Sequence, residues 1–484
     1  MSASATALPA ASSAEPRRNT LSTFIITSVA LFMVALDNLV VTTALPVIRE
    51  ELGASLSQLE WIVNAYTLTF AVLLLTGAAL GDRFGRRRAF IAGLVIFTAG
   101  SAFAALASTT EMLILARALQ GVGGAIVLPL TLTILSAAVP PERRALALGA
   151  WGGIGGLAVA IGPLVGGAIA EGLSWQWIFW LNVPIGIVAV FAALRYLRES
   201  FGPDRRLDLV GLVLASGGFL GLVWGVIHAG TEGWGDAGVI ATIVAGAILL
   251  AAFIWWERRT TSPMLPLGFF RDRAFSVANA ASFLMYFGVF GAVFLLAQFF
   301  QFVQGYGPFQ AGLMTLAWTG MPAIVAPIAG AVSGRVGQRP ILVTGLAMMA
   351  IGLGWFAAVA TPTVPYGELV PALVIAGVGM GLFFAPIANV VLSAVKPEQE
   401  GKASGANNAI RELGGVFGVA VLASIFSTYG SYESPQAYVD GLIPAVWVGA
   451  AFVGLGSLIT LLLPRDRRPA AHGVTPDAAV AAGA

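Results

Sequence analysis

Asp37 stands in the middle of an apolar run, 22–46, that carries no other charge. An ionised carboxylate at the centre of a bilayer costs about 2.5–3.5 kcal/mol, and acids kept at such depth are usually functional. Burial favours the neutral form of a carboxyl group, and a nearby cation favours the ionised form. A carboxyl that alternates between the two surroundings can load and release a proton. The competing reading is a structural polar group, satisfied once inside the fold. Arg117 is the natural partner: it lies six residues inside its own apolar run, counted from Glu111, and Asp37 lies nine residues from the end of its run at Pro46. If the runs cross a membrane in alternate directions, at about 1.5 Å per residue the two depths differ by about 4–5 Å. The alternative for Arg117 is to snorkel to the interface. Arg411 and Glu412 form the other deep charged pair. Neighbours in sequence do not face each other on a helix, so each needs its own partner, and Glu412 is open as a second proton site. Asp37 is the one acid read as deep in the first half of the chain.

The elements that must hold these groups follow from composition. The chain is 58% hydrophobic and only 10% charged, with mean hydropathy +0.87. A soluble domain is nearer a quarter charged, so most of this surface faces lipid. Net charge is +2, with basic residues in short clusters, which offers no nucleic-acid surface. Cysteine is absent, which excludes disulfide frameworks and thiolate metal sites, and with His228 and His472 as the two histidines a histidine-rich metal or redox site is nearly excluded.

About 20 apolar residues cross a hydrocarbon core. That rule predicts an all-α membrane protein with spans at 22–46, 59–80, 89–109, 111–138, 145–170, 177–197, 209–229 and 237–256. Six more are expected at 275–303, 311–333, 340–361, 369–395, 404–428 and 442–463. The run starting at Leu21 is too long for a signal-peptide core and is read as a retained first span. Residues 1–20 and 464–484 read as disordered tails. With the N-terminus inside, every one of the 26 basic residues except Arg49, Arg117 and Arg411 falls on the cytoplasmic side. This positive-inside bias would collapse if one span were dropped, so fourteen spans and cytoplasmic termini are expected.

An internal repeat organises the spans. Segment 77–88, GAALGDRFGRRR, has an echo in 330–339, GAVSGRVGQR. Gly121, Gly123 and Leu135 recur as Gly377, Gly379 and Leu392, so the fourth span matches the twelfth. Two six-helix bundles, 21–198 and 275–463, are expected, with two inserted spans in 199–274; parallel halves of this kind organise major facilitator transporters. Leu373 stands opposite Arg117 and Arg335 opposite Asp82, so proton coupling is assigned to the first half.

Several motifs now carry a resemblance. Segment 36–46 (LDNLVVTTALP), segment 77–88, RALQG at 117–121, and Gly149 with GPLVGG at 162–167 resemble the fourteen-helix drug:proton antiporters of the major facilitator superfamily. Ala158 stands where the fifth-helix motif usually has glycine. The resemblance implies a major facilitator fold and proton-coupled export of lipophilic drugs, antibiotics or hydrophobic metabolites across a bacterial cytoplasmic membrane. It implies a monomer that uses the proton gradient and no cofactor. Asp37, Arg117 and Glu412 become proton-coupling candidates. Gly77, Asp82, Arg83, Gly85 and Arg86 become a cytoplasmic latch, in which Gly85 permits a tight turn and Asp82 can pair with a helix N-terminus of the opposite half. Arg87 and Arg88 read as topogenic charges. Gly149, Gly162, Pro163, Gly166 and Gly167 make the antiporter motif of the fifth helix.

Substrate contacts are expected from Trp61, Asn64, Tyr66 and Gln120 in the first half. In the second half they are expected from Tyr286, Phe290, Gln298, Trp318 and Asn408. The stripe Phe283, Phe287, Phe290 and Phe294 suits a greasy cavity, though such stripes also serve packing or face lipid. The alternatives are a lipid exporter or flippase and a proton-coupled uptake symporter of the same fold. An enzyme lacks a spaced catalytic constellation around His228, and ATP-driven pumping lacks a phosphate-binding loop.

Overall fold

The computed structural model describes residues 15–201, 207–396 and 399–464, and among them every regular element is helical. Among the described residues fourteen helices are long and apolar enough to cross a membrane. The first six are α1 (Thr20–Leu52), α2 (Leu56–Phe84), α3 (Arg86–Ala105), α4 (Thr110–Ala138), α5 (Ala150–Gly172) and α6 (Gln176–Tyr196). Then come α7 (Leu209–Glu232), α8 (Ala237–Glu257), α9 (Arg273–Val303) and α10 (Pro308–Ser333). The last four are α11 (Gln338–Val359), α12 (Tyr366–Ser393), α13 (Glu400–Tyr429) and α14 (Pro435–Thr460). Each overlaps one expected span. The first helix already begins at Glu15, inside the stretch expected to be a tail. Residues 1–14, Arg205, Arg206 and the tail from 465 onward, with its arginines, lie outside the described residues.

Local chemistry sets the helix ends. Ser55 caps α2 in a reciprocal box with Gln58, and Thr109, Asp236, Asp272 and Ser434 accept the first free amides of α4, α8, α9 and α14. Such caps satisfy donors that a helix start leaves orphaned. Gly85 and Gly337 close the two repeated loop motifs with φ +104° and +92°, values that favour glycine.

Packing repeats with every number raised by eight. In the first bundle α2 and α3 pack on α4, and α1 packs on α5 and α6; in the second α10 and α11 pack on α12, and α9 packs on α13 and α14. The bundles meet where α5 lies on α10 and α2 on α13. The pair α7–α8 attaches through α7, which packs on α2 and α13 and so covers that seam. Only 17% of the most apolar stretch of α8 is buried in protein, which leaves the rest as apolar outer surface.

Candidate functional site

The charged centre lies inside the first bundle, held by α1, α4 and α6. Asp37 is 0% and Arg117 1% exposed, and Arg117 Nη1 donates to Asp37 Oδ2. The depth argument therefore brings the two together, and snorkelling of Arg117 does not occur. The other carboxylate oxygen accepts from Gln120 Nε2 at 3.1 Å and from Asn182 Nδ2 at 2.8 Å. Arg117 also donates to Gln120 Oε1 at 2.9 Å and, through Nε, to the Ile62 carbonyl at 3.3 Å. Ser101 accepts from Gln120 at 2.7 Å. The carboxylate is thus charge-balanced and met by three donors, the condition under which a buried ion pair holds. A proton arriving on Asp37 removes its need for the guanidinium and frees these donors to rearrange.

A cavity of about 1190 Å³ lies beside this centre, between the two bundles. Tyr66 stands between them. Its ring lines the cavity, its hydroxyl donates to the Val34 carbonyl at 3.2 Å, and the Arg117 guanidinium lies over it at 4.2 Å from the ring centre. Asp37 and Arg117 are not on the cavity wall, and the Tyr66 ring separates Arg117 from the cavity. Arg411 and Glu412 are on the wall, in α13, and Arg411 sits 4.9 Å from the centre of the Tyr286 ring.

Among the expected substrate contacts, Tyr66, Tyr286, Phe290, Trp318 and Asn408 line the cavity. The other four do not. Trp61 packs in an apolar cluster with Leu68, Val223 and Val416 beneath α7. Asn64 is fully buried away from the cavity, and neither of its amide atoms has a hydrogen-bond partner. Gln120 is committed to Asp37. Gln298 accepts from the Tyr432 hydroxyl and donates to the Phe294 carbonyl. Burial raises the Tyr432 phenol well above its usual range, which keeps it a neutral donor. In the phenylalanine stripe Phe290 faces the cavity, whereas Phe287 stacks on Phe452 at 4.1 Å and Phe283 packs near Phe417.

The cavity opens at the arginine-rich end, where its wall includes Asp82, Arg86, Asp208, Ser262 and Lys402. The opposite end is closed by contacts between bundles. Gln301 donates to the Thr43 carbonyl at 2.7 Å, Thr319 to the Ala160 carbonyl at 3.1 Å, and the Phe309 amide to Glu171 at 2.8 Å. Arg49 lies over Tyr432, 3.5 Å from the ring centre.

Glycines of the fifth-helix motif build that closure. A Cβ on Gly167 would lie 2.1 Å from the Pro308 carbonyl oxygen, and one on Gly312 would lie 2.4 Å from that of Pro163. Gly166 meets α1, where a Cβ would lie 2.2 Å from the Val40 carbonyl oxygen. Gly162 is looser, with 3.0 Å to the Leu39 Cβ, so close approach rests on Gly166 and Gly167 more than on Gly162. Gly149 precedes α5 in the same continuous helix.

The loop motif differs from expectation in two ways. Asp82 pairs with Arg86 at 2.9 Å within its own loop and not with a helix of the other bundle, because the bundles stand apart at this end. Gly77 is a packing residue: a Cβ there would lie 2.2 Å from the Ala125 carbonyl oxygen, so it brings α2 onto α4. Arg83 is exposed beside Phe84. Glu199, not singled out from the sequence, accepts from the Arg87 amide at 3.0 Å and would meet any side chain placed on Gly85 at 2.7 Å.

Asn182, Ser101 and Glu60 were also missed. Asn182 and Ser101 are polar residues in apolar spans, a weak signal, because an uncharged polar group there costs little once it finds a partner. Glu60 contradicts the reading of Asp37 as the sole deep acid: it is 3% exposed in the second turn of α2, and its Oε2 has no hydrogen-bond partner. It lies near a helix end, yet the fold buries it there, close enough to Tyr432 for electrostatic contact.

The family model described as Major Facilitator Superfamily matches residues 27–294 and 278–481. The chain belongs to the major facilitator superfamily. This facilitator is 36% identical to the multidrug resistance protein Stp of Mycobacterium tuberculosis, over 88% of this chain and 79% of that one. It is 37% identical to the cephamycin export protein CmcT of Amycolatopsis lactamdurans, over 92% of this chain and 93% of that one. Its fold matches the crystal structure of a POT family transporter with TM-score 0.68 at 14% identity, covering 92% and 96% of the two chains. Facilitators of this superfamily move small molecules through a membrane, and a cavity between two bundles, closed at one end, is suited to that work.

Proposed function

We propose that this facilitator exports lipophilic aromatic compounds, drugs or antibiotics among them, across a bacterial cytoplasmic membrane in exchange for protons. The observation that carries the reading is the buried Asp37–Arg117 pair behind Tyr66, beside an aromatic cavity open only at the arginine-rich end. The positive-inside bias makes that end cytoplasmic, so the cavity is poised to load from inside the cell. Relatives named for multidrug resistance and for cephamycin export support the direction and the substrate class. Asp37 is the proton carrier, Arg117 its counter-ion, and the proton gradient the energy source, with no cofactor. Protonation loosens the centre beneath α1, α4 and α6, and the bundles then rock about the glycine contacts of α5 with α10. One copy of the chain suffices, since the cavity is formed within it.

The test is direct. In a pump-deficient bacterial host, the gene is expected to raise the inhibitory concentration of several lipophilic aromatic antibiotics at least fourfold. Inverted membrane vesicles should take up the same compounds only when a proton gradient is imposed. Uptake that needs the gradient in right-side-out vesicles instead would make the chain a symporter.

Sidedness has its own measurement, which the absence of cysteine makes clean. Gly235 and Gly268 are exposed, have open space at the Cβ position, and bracket α8. Gly235→Cys is expected to react with an impermeant thiol reagent on intact cells, and Gly268→Cys only after lysis. Equal reactivity of both would remove α8 as a span.

A further inference from the structure

Charged groups of both signs line the cavity, and certain buried donors on its wall have no hydrogen-bond partner. Among the described residues three cations stand on its wall, Arg86, Lys402 and Arg411. Arg86 is held by Asp82, and Lys402 lies in the first turn of α13, at the mouth. Arg411 is nine residues further along α13, or about 13 Å deeper. Its Nε is shut off from solvent and has no hydrogen-bond partner. Among the described residues no carboxylate lies within ion-pair distance of its guanidinium, which rests on the Tyr286 ring instead. Glu412 follows it on the helix and points elsewhere on the turn. Trp318, 2% exposed and on the same wall, also has an indole N–H without an acceptor. Unmet donors in a low-dielectric site are costly until a ligand satisfies them.

We infer that Arg411 is the anion-binding point of the cavity, and that preferred substrates are aromatic compounds carrying a carboxylate or phenolate. This rests on the export reading and deepens it. The planar guanidinium offers two parallel donors to a carboxylate. Tyr286 and Phe290 stack on one another with ring centres 5.0 Å apart and present an aromatic wall on which the rings of such a substrate can lie. Asn408, three residues before Arg411 and on the same cavity face of α13, adds an amide donor toward the mouth. Glu412 sets the opposite preference from the same wall, so the charge of the ligand decides between the two residues.

Fluorescein and rhodamine 6G share a xanthene ring system and carry opposite charge at neutral pH, which makes them a matched pair of probes. Binding to the purified full chain is read by fluorescence polarisation, and export in proteoliposomes under a proton gradient. The wild-type chain is expected to bind and export fluorescein. Arg411→Gln is expected to weaken fluorescein binding about ten- to hundredfold, the usual size of a lost hydrogen bond to a charged group, while any rhodamine 6G binding changes less than twofold. Arg411→Lys should recover only part of the loss, because an ammonium lacks the fork. An unchanged melting temperature in the variants confirms that the effect is local. Equal loss of both dyes would reduce Arg411 to packing and overturn the assignment. Export of rhodamine 6G without fluorescein, abolished by Glu412→Gln, would overturn it while leaving the export reading intact. A wild-type chain that binds and exports neither dye would count against both.

Discussion

An Asp37→Asn variant in proteoliposomes is expected to lose uphill export entirely, at least a hundredfold below wild type, while reaching the membrane at normal abundance. Asn keeps the size of the side chain and one acceptor, so Gln120, Asn182 and Arg117 still find a carbonyl oxygen among them. The cation is not stranded either: it retains the Ile62 carbonyl, the Gln120 amide oxygen and the face of Tyr66, and a guanidinium tolerates weak hydration better than an ammonium. What the amide cannot do is change charge. On the proposed mechanism the neutral side chain mimics the protonated state permanently, so substrate still binds and downhill exchange of labelled for unlabelled substrate survives. The assay imposes a pH gradient and follows substrate against its own gradient. Uphill accumulation by Asp37→Asn at the wild-type rate would make Asp37 structural and pass the carrier role to Glu412 or Glu60.

The parts of this centre that were legible in the sequence are those with a large energetic signature. A charge in an apolar run is conspicuous because lipid penalises it, which marks Asp37, Arg117, Arg411 and Glu412. The alternating arginine-rich loops counted the spans, since each one reverses the side on which the next loop falls. Depth along two antiparallel helices then placed Asp37 near Arg117 before any packing was known. Asn182 lacked such a signature: an amide in an apolar helix costs little if it finds a partner, and that α6 packs against α1 cannot be read from hydropathy. The cavity face was hidden for the same reason. Phe287 and Phe290 lie less than one helical turn apart in one aromatic run, yet Phe287 packs on Phe452 of α14 and Phe290 faces the cavity. Rotation of a membrane helix about its axis is set by its neighbours, because lipid accepts every apolar face alike. Asp82 was misplaced for a different reason. Its partner depends on whether the bundles stand apart or together at that end, and one sequence serves both arrangements.

Removing Arg117 is expected to have the largest effect on stability, and a second substitution is expected to undo it. Arg117→Leu leaves the Asp37 carboxylate fully buried with two amide donors and no counter-ion. Breaking a buried ion pair from one side costs about 3–5 kcal/mol, because the surviving charge is uncompensated. The purified variant should therefore unfold at markedly lower temperature or denaturant than the wild type. Adding Asp37→Asn removes the second charge and leaves an uncharged polar cluster of Gln120, Asn182 and Ser101 around an amide. The double variant should regain most of the loss and lie close to Asp37→Asn alone, with an interaction of at least about 1 kcal/mol, as touching residues in one network show. Neither Arg117→Leu nor the double variant should export uphill, since neither keeps a chargeable acid paired with a cation at the Asp37 centre. Stability and coupling thus separate: the double variant is sound but inert. Additive losses would mean that Arg117 matters through its contacts with Tyr66 and Ile62 and not through Asp37. The proton would then need another carrier, and Glu60, buried with an unpartnered oxygen beside the closed end, would be the first to test by the same cycle.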